Sequence, residues 1–204
     1  MIERALARLA RMIAGASVRW TVPPGAPEVQ RVYFGNHTSH LDFILIWSAL
    51  PPAARVHTRP IAGADYWGRG RMRRYLATKV FHAVLIERAA KSAPSTARES
   101  IDAIADAMGS GTSIIVFPEG TRSRDGTLLP FKSGLYHLCQ RKPALELVPV
   151  YLDNMTRILP KGEVLPVPML SRVVFGAPLH LEPGEEKPAF LGRMRDALLA
   201  LRDA

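Results

Sequence analysis

Short apolar runs, often β-branched, alternate along this chain with stretches of helical periodicity, and that alternation restricts the fold more than any other feature. Residues 31–35, 55–62, 80–87, 113–117, 145–152 and 172–175 read as strands. Residues 42–49, 69–78, 95–108, 133–140 and 187–202 read as helices. Strands that alternate with helices need crossover connections. The expected fold is therefore α/β, a single domain with a mixed β-sheet flanked by helices.

Within that frame the helix from residue 95 is the best marked. Ala97, Ile101, Ile104, Ala105 and Met108 share one face, and Gly109 stands where a C-terminal capping glycine belongs. Residues 153–171 hold Pro160, Pro166 and Pro168 with little periodicity and read as an extended loop. At the other end Ile2, Leu6, Leu9, Ile13 and Ala16 recur at helical spacing, with Arg4, Arg8 and Arg11 opposite them. Such an amphipathic helix fits a membrane interface or a place on the protein's own core. Residues 21–27 contain three prolines and a glycine and read as a linker. The expected division is thus residues 1–27, amphipathic helix and linker, and residues 28–204, the main domain.

Twenty-seven lysines and arginines against 18 acidic residues leave a formal net charge of +9. A basic surface attracts anions, whether nucleic acid, an anionic bilayer or an acidic carrier protein. The single cysteine, Cys139, excludes an internal disulfide and a cysteine-based zinc site. It lies in an apolar helical run and reads as a buried thiol. A bilayer span takes about 20 apolar residues. The nearest candidate, residues 43–54, is shorter and contains Pro51 and Pro52. The recurring arginines near the start also disagree with a secretory leader.

Two loop motifs carry chemistry. Asn36-His37-Thr38-Ser39-His40-Leu41-Asp42 follows a predicted strand and opens a predicted helix. Histidine titrates near neutrality, so its imidazole can take a proton from a hydroxyl. A carboxylate at Asp42 can bond the other ring nitrogen and stabilise the imidazolium, or instead cap the helix. Phe117-Pro118-Glu119-Gly120-Thr121-Arg122-Ser123 follows the predicted strand 113–117. Its turn offers backbone N–H groups, a hydroxyl and a guanidinium whose planar fork suits a phosphate. A tight turn with a Glu119–Arg122 surface ion pair is the plainer alternative. The basic cluster Arg69, Arg71, Arg73, Arg74 and Lys79 reads as a solvated helix face or as an anion contact.

Together the two motifs, some eighty residues apart, make the chain resemble the glycerolipid acyltransferases, above all the 1-acylglycerol-3-phosphate acyltransferases. His82-Ala83-Val84-Leu85-Ile86-Glu87-Arg88 is similar to the second family motif and Val148-Pro149-Val150 to the fourth. Phe131-Lys132-Ser133-Gly134 and Leu159-Pro160-Lys161-Gly162 also resemble family members. The likeness runs from about residue 31 to residue 178. Three positions depart from it: His82 replaces a usual glycine, Leu85 a usual phenylalanine and Thr38 a frequent glutamine.

The resemblance implies His37 as general base and Asp42 as its orienting partner. It implies that Arg88, Gly120, Thr121 and Arg122 hold an acceptor phosphate, and that Glu119 shapes that site. It implies acyl transfer from an acyl-coenzyme A or acyl carrier protein thioester to a glycerolipid hydroxyl, most simply 1-acylglycerol 3-phosphate, giving phosphatidic acid. No metal or redox cofactor is implied. The implied partners are the membrane lipid acceptor, the thioester donor and an anionic membrane surface, with no nucleic acid. The implied location is peripheral, on the cytoplasmic face of a membrane. Another lysolipid, glycerol 3-phosphate or a lyso-aminolipid is the alternative acceptor. A basic nucleic-acid-binding domain would explain the charge, but no nucleic-acid motif accompanies it. A serine esterase would need a Gly-x-Ser-x-Gly elbow, and none occurs.

Overall fold

The computed structural model describes residues 2–13, 15–39, 41–68, 70–86, 94–123, 125–153 and 171–203. Seven strands form one sheet: β1 (Ala16–Trp20), β2 (Arg31–Gly35), β3 (Thr58–Gly63), β4 (Val84–Ile86), β5 (Ser113–Val116), β6 (Glu146–Asp153) and β7 (Ser171–Phe175). Their order is β1-β7-β6-β2-β5-β3-β4. All neighbours run parallel except β6 and β7. The described helices are α1 (Ile2–Ile13), α2 (Asp42–Ala49), α3 (Pro52–Val56), α4 (Ala64–Trp67), α5 (Arg71–Tyr75), α6 (Pro94–Met108), α7 (Gly134–Arg141) and α8 (Lys187–Leu199). A π-helical turn, Leu76–Val80, continues α5.

Central strands buried on both faces need helices on both faces. Tyr33, Ile115, Val148 and Val150 point into one apolar cluster with Phe43, Leu45, Ile46 and Trp47 of α2. Val32, Phe34, Ile114 and Leu147 point into the other, with Met108 of α6, Leu135 and Leu138 of α7, and Phe190 and Met194 of α8. This is the α/β single domain that the alternation predicts. Gly109 ends α6 in the left-handed conformation at φ 50°, as its position implies. Its N–H donates to Ala105 and Asp106 carbonyls.

Helix α2 has no polar face: of its eight residues, Ile44 alone is not buried. A helix apolar all round must be covered on its outer side. Helix α1 supplies that cover, with Ala7 buried in the same cluster as α2. Packing on the core thus accounts for one stripe of α1, while Leu9 and Met12 remain 45% and 73% exposed. The far end of α2 is closed by Arg55, which is buried and donates to the Trp47, Ser48 and Leu50 carbonyls at 2.7–3.1 Å. A cation there meets the negative end of the helix dipole.

The structure departs from the sequence reading in four places. Residues 16–20, assigned to a helix end and its approach to the linker, form edge strand β1, parallel to β7. The division at residue 27 therefore separates a strand from its own sheet. Residues 55 and 56, expected to open the strand 55–62, instead end a short helix that starts with Pro52 at its first position, so β3 begins at Thr58. Residues 76–80 are π-helical, so the strand expected over 80–87 shortens to Val84–Ile86. His82 breaks the path between them: at φ 48° it is the one non-glycine residue with positive φ among those described. The glycine that the resemblance leads one to expect at this point fits the same geometry, since glycine enters that region without steric cost. The expected loop over 153–171 lies, apart from its two ends, outside the described residues.

Proline in a central strand forfeits a ladder hydrogen bond. Pro149 is tolerated because antiparallel pairing of β6 with β7 begins at the next residue, Val150. Its carbonyl still accepts the Gly176 N–H at 2.9 Å.

Candidate active site

Strands β2 and β5 are parallel neighbours, with Phe34 opposite Val116, so both motif loops leave the sheet at the same edge. From there the chain after β2 turns to one face as α2, and the chain after β5 turns to the other as α7. Open α/β sheets leave a crevice where successive connections diverge in this way.

The first loop is shaped by its own side chains. Asn36 extends the β2–β6 ladder by one rung: its Nδ2 donates to the Leu152 carbonyl and its Oδ1 accepts the Leu152 N–H, both at 2.8 Å. The chain then curls around Asp42, the first residue of α2, which is fully buried. Asp42 Oδ2 accepts the Thr38 N–H at 2.7 Å and the Ser39 N–H at 2.8 Å. The same oxygen lies 2.9 Å from His37 Nδ1. A carboxylate only accepts, so Nδ1 carries the proton and Nε2 is left as the basic nitrogen. The imidazole is 15% exposed and stacks on the Phe117 ring at 4.1 Å and 12°. One ring nitrogen is thus held by a buried anion and one ring face by an aromatic plate. Asp42 Oδ1 and Thr38 Oγ1 are buried without hydrogen-bond partners among the described residues.

The second loop is fastened to the first. Glu119 is 2% exposed and turned inward. Its Oε1 accepts the His37 N–H at 2.7 Å and its Oε2 the Leu129 N–H at 2.8 Å. Burial raises the Glu119 carboxyl above the ordinary range, against the lowering effect of those two N–H groups. The His37 carbonyl accepts the Ser123 N–H at 2.7 Å. Both backbone faces of His37 are therefore gripped by the segment 119–123. That segment turns sharply at Gly120, φ 69°, whose N–H donates to the Phe117 carbonyl at 3.0 Å. Asp125 closes the loop beyond it by accepting from Thr127 and Ser123, which hold its carboxyl down at about 2. From the far side Arg195 of α8 donates to the Leu128 and Leu129 carbonyls at 3.1 and 3.2 Å.

The sequence-derived candidates therefore fall into three groups. His37 and Asp42 are in direct contact. Gly120 and Thr121 are exposed on the turn beside them, and Arg122 is half-buried there. Glu119 is turned away from solvent, and its two oxygens accept backbone N–H groups that tie the loops together. Arg88 and His40 lie outside the described residues. Sequence reasoning gave no role to Asn36, Phe117 or Ser123, although all three stand inside the quoted motifs. Cys139 is buried in the cluster on the α7 face, and burial pushes its thiol up to about 12. A thiol held protonated is no acyl carrier.

The family model described as Acyltransferase matches residues 21–153. A 1-acyl-sn-glycerol-3-phosphate acyltransferase of Limnanthes douglasii is 35% identical over 68% of this chain and 47% of its own length. Its counterpart in Cocos nucifera is 30% identical over 76% of this chain and 48% of its own length. The chain thus spans about half the length of these curated relatives. The crystal structure of the 1-acyl-sn-glycerophosphate acyltransferase of Thermotoga maritima superposes with a TM-score of 0.73 at 19% identity, over 99% of this chain and 78% of that one. That likeness is one of fold.

Proposed function

This chain belongs to the Acyltransferase family, and from that premise we propose that it transfers a fatty acyl group from a thioester to the free hydroxyl of 1-acylglycerol 3-phosphate, forming phosphatidic acid. The observation that carries the reading is the His37–Asp42 pair, locked by Glu119 and Ser123 beside an exposed, cation-bearing turn.

The acceptor's phosphate docks at the turn formed by Gly120, Thr121 and Arg122, and Arg88, two positions after β4 in sequence, is proposed as a further contact. Docking places the acceptor hydroxyl at His37 Nε2 and removes the entropic cost of bringing the two together. Nε2 takes the hydroxyl proton as the oxygen attacks the thioester carbonyl. Asp42 stabilises the imidazolium that forms. The tetrahedral adduct expels a thiolate, which recovers the proton from Nε2. Bonds and protons balance without a covalent enzyme intermediate. The donor is an acyl-coenzyme A or an acyl carrier protein thioester.

We further infer that the enzyme works peripherally at an anionic membrane surface, on its cytoplasmic face; exposed apolar and cationic side chains support the contact with anionic lipid. Among the described residues no helix is long and apolar enough to cross a membrane. Leu9 and Met12 of α1 are exposed, as is Arg8 immediately before Leu9. Arg71, Arg74 and Lys79 are exposed on α5 and the π-helical turn, beside an exposed Tyr75. Such a mixture of apolar and cationic groups suits an interface with anionic lipid.

The test is incubation with labelled acyl-coenzyme A, with and without 1-acylglycerol 3-phosphate, followed by lipid analysis. Phosphatidic acid should form only with acceptor, and His37→Ala should lower turnover by roughly 10²–10⁴-fold. Free fatty acid released without acceptor would make the protein a hydrolase. Near-normal turnover by folded His37→Ala would remove the base.

A further inference from the structure

Gly120 has a second reason to be glycine besides its backbone angle. The space that a β-carbon would fill there is occupied by the side chain of Lys132: Nζ would lie 2.6 Å from that carbon, Cε 2.8 Å and Cδ 2.9 Å. Lys132 therefore lies across the turn itself. Its backbone is fixed in place, because the Lys132 N–H donates to the Pro118 carbonyl at 2.9 Å. Three residues earlier, the Leu129 N–H is held by Glu119 Oε2 at 2.8 Å. The segment 129–132 is thus pinned at both ends against the segment 118–120.

The amine at the end of this arm has no structural task among the described residues. Lys132 is exposed, and no carboxylate among the described residues pairs with it. The nearest acid in sequence, Asp125, accepts from Ser123 and Thr127 through Oδ1, and both oxygens of Glu119 accept backbone N–H groups. A flexible lysine normally loses rotamer freedom only for some return. Here the return is a compact positive charge held over a turn that also carries Thr121 and Arg122.

We propose that Lys132 is an additional contact for a substrate phosphate at this turn. The inference rests on the reading of the chain as an enzyme of phosphate-bearing substrates. An ammonium offers three donors on a point charge, which complements the planar fork of Arg122 and suits a terminal phosphomonoester. The same chemistry is offered by the acceptor's phosphate and by the phosphates of coenzyme A, and the two differ in what they predict.

The experiment compares the full chain with Lys132→Ala, Lys132→Arg and, as a control for the loss of one charge, Lys187→Ala on the exposed start of α8. Lys132→Ala should raise the KM for 1-acylglycerol 3-phosphate about 10- to 100-fold, the usual weight of a hydrogen bond to a charged group. Turnover at saturation should change little, Lys132→Arg should recover part of the loss, and thermal midpoints should coincide. If the phosphate belongs to the donor, the KM rises for acyl-coenzyme A and the effect vanishes with an acyl-pantetheine, which lacks phosphate. Direct binding of sn-glycerol 3-phosphate, with glycerol as blank, supplies a readout independent of acyl transfer. Weaker binding by Lys132→Ala supports the contact even if no acyl transfer is seen. Equal binding and unchanged KM values for both substrates would overturn it.

Discussion

Asp42→Asn separates the charge of the buried carboxylate from its geometry, and the structure states how. Asp42 Oδ2 is the acceptor for three donors, His37 Nδ1–H and the Thr38 and Ser39 N–H groups, while Oδ1 has no partner among the described residues. An asparagine carbonyl at the Oδ2 position keeps all three bonds and places its NH₂ where Oδ1 stood. The flipped amide would set NH₂ against two backbone donors, and a buried unsatisfied donor costs roughly 1–3 kcal/mol. The two backbone donors thus select the orientation that preserves the tautomer of His37. What the variant loses is the charge. Two unit charges about 4 Å apart attract by about 4 kcal/mol at an effective dielectric near 20. If half the imidazolium charge has developed in the transition state, about 2 kcal/mol is lost, roughly a 30-fold fall in kcat. The assay is steady-state turnover together with nitrogen NMR of the imidazole. The expected result is that modest loss with the Nδ1–H tautomer retained. Wild-type turnover would show that the Asp42 charge does no catalytic work. Turnover as low as that of His37→Ala, with Nε2–H observed, would refute the claim that Thr38 and Ser39 orient the side chain.

Glu119→Gln should behave differently, because both oxygens accept and one must become a donor facing an N–H; kcat should fall at least about 10-fold while stability changes by no more than about 2 kcal/mol, measured by turnover and urea unfolding. The Glu119 carboxyl is raised by burial, so the stability it contributes is complete below the ordinary glutamate range and is lost as pH rises through the raised value. Unfolding measured across that range should therefore decline with pH in the wild type relative to Glu119→Gln, and parallel curves would contradict this. His82→Gly should stabilise by up to about 1 kcal/mol by relieving the left-handed backbone, read as a rise in thermal midpoint; a fall would mean that the imidazole makes a contact worth more than the strain. Replacing exposed Leu9 and Met12 together by aspartate should leave the thermal midpoint nearly unchanged yet weaken sedimentation with anionic vesicles about 10-fold or more; equal sedimentation would remove α1 from the interface.

The site was legible in the sequence where its chemistry is local. His37 and Asp42 are five residues apart, and a loop that opens a helix closes their distance without help from the rest of the fold. Glu119 was legible as a site residue but not in its orientation. Nothing in Phe-Pro-Glu-Gly-Thr-Arg says that the carboxylate reaches back 82 positions to the His37 N–H. Lys132 was quoted within Phe131-Lys132-Ser133-Gly134 but given no role, since its approach to Gly120 depends on how the segment 129–132 is pinned. For the fold, β2, β5, β6 and β7 were read nearly to the residue because burial on two faces leaves almost continuous apolar runs. Strand β1 was missed because Ala16, Val18 and Trp20 alternate over only five residues, and Ala16 also continues the helical stripe of α1. The shortening of β4 turns on the left-handed His82, a conformation that a histidine does not announce.

The placement of β1 governs the order in which this molecule can be assembled. Ser17 bonds to the Ser171 carbonyl, a partner 154 positions later, and among the described residues β1 has no strand neighbour other than β7. At translation rates of 5–20 residues per second, about ten to thirty seconds pass before that partner is made. Throughout this interval β1 has no ladder to join, and α1 must either wait or settle early on the apolar outer side of α2. Pairings of such long range are entropically late and slow folding. The nascent chain thus carries an unpaired strand and an apolar helix face through most of its synthesis, a period in which a chaperone or a nearby bilayer would compete with the chain's own sheet for the same surface.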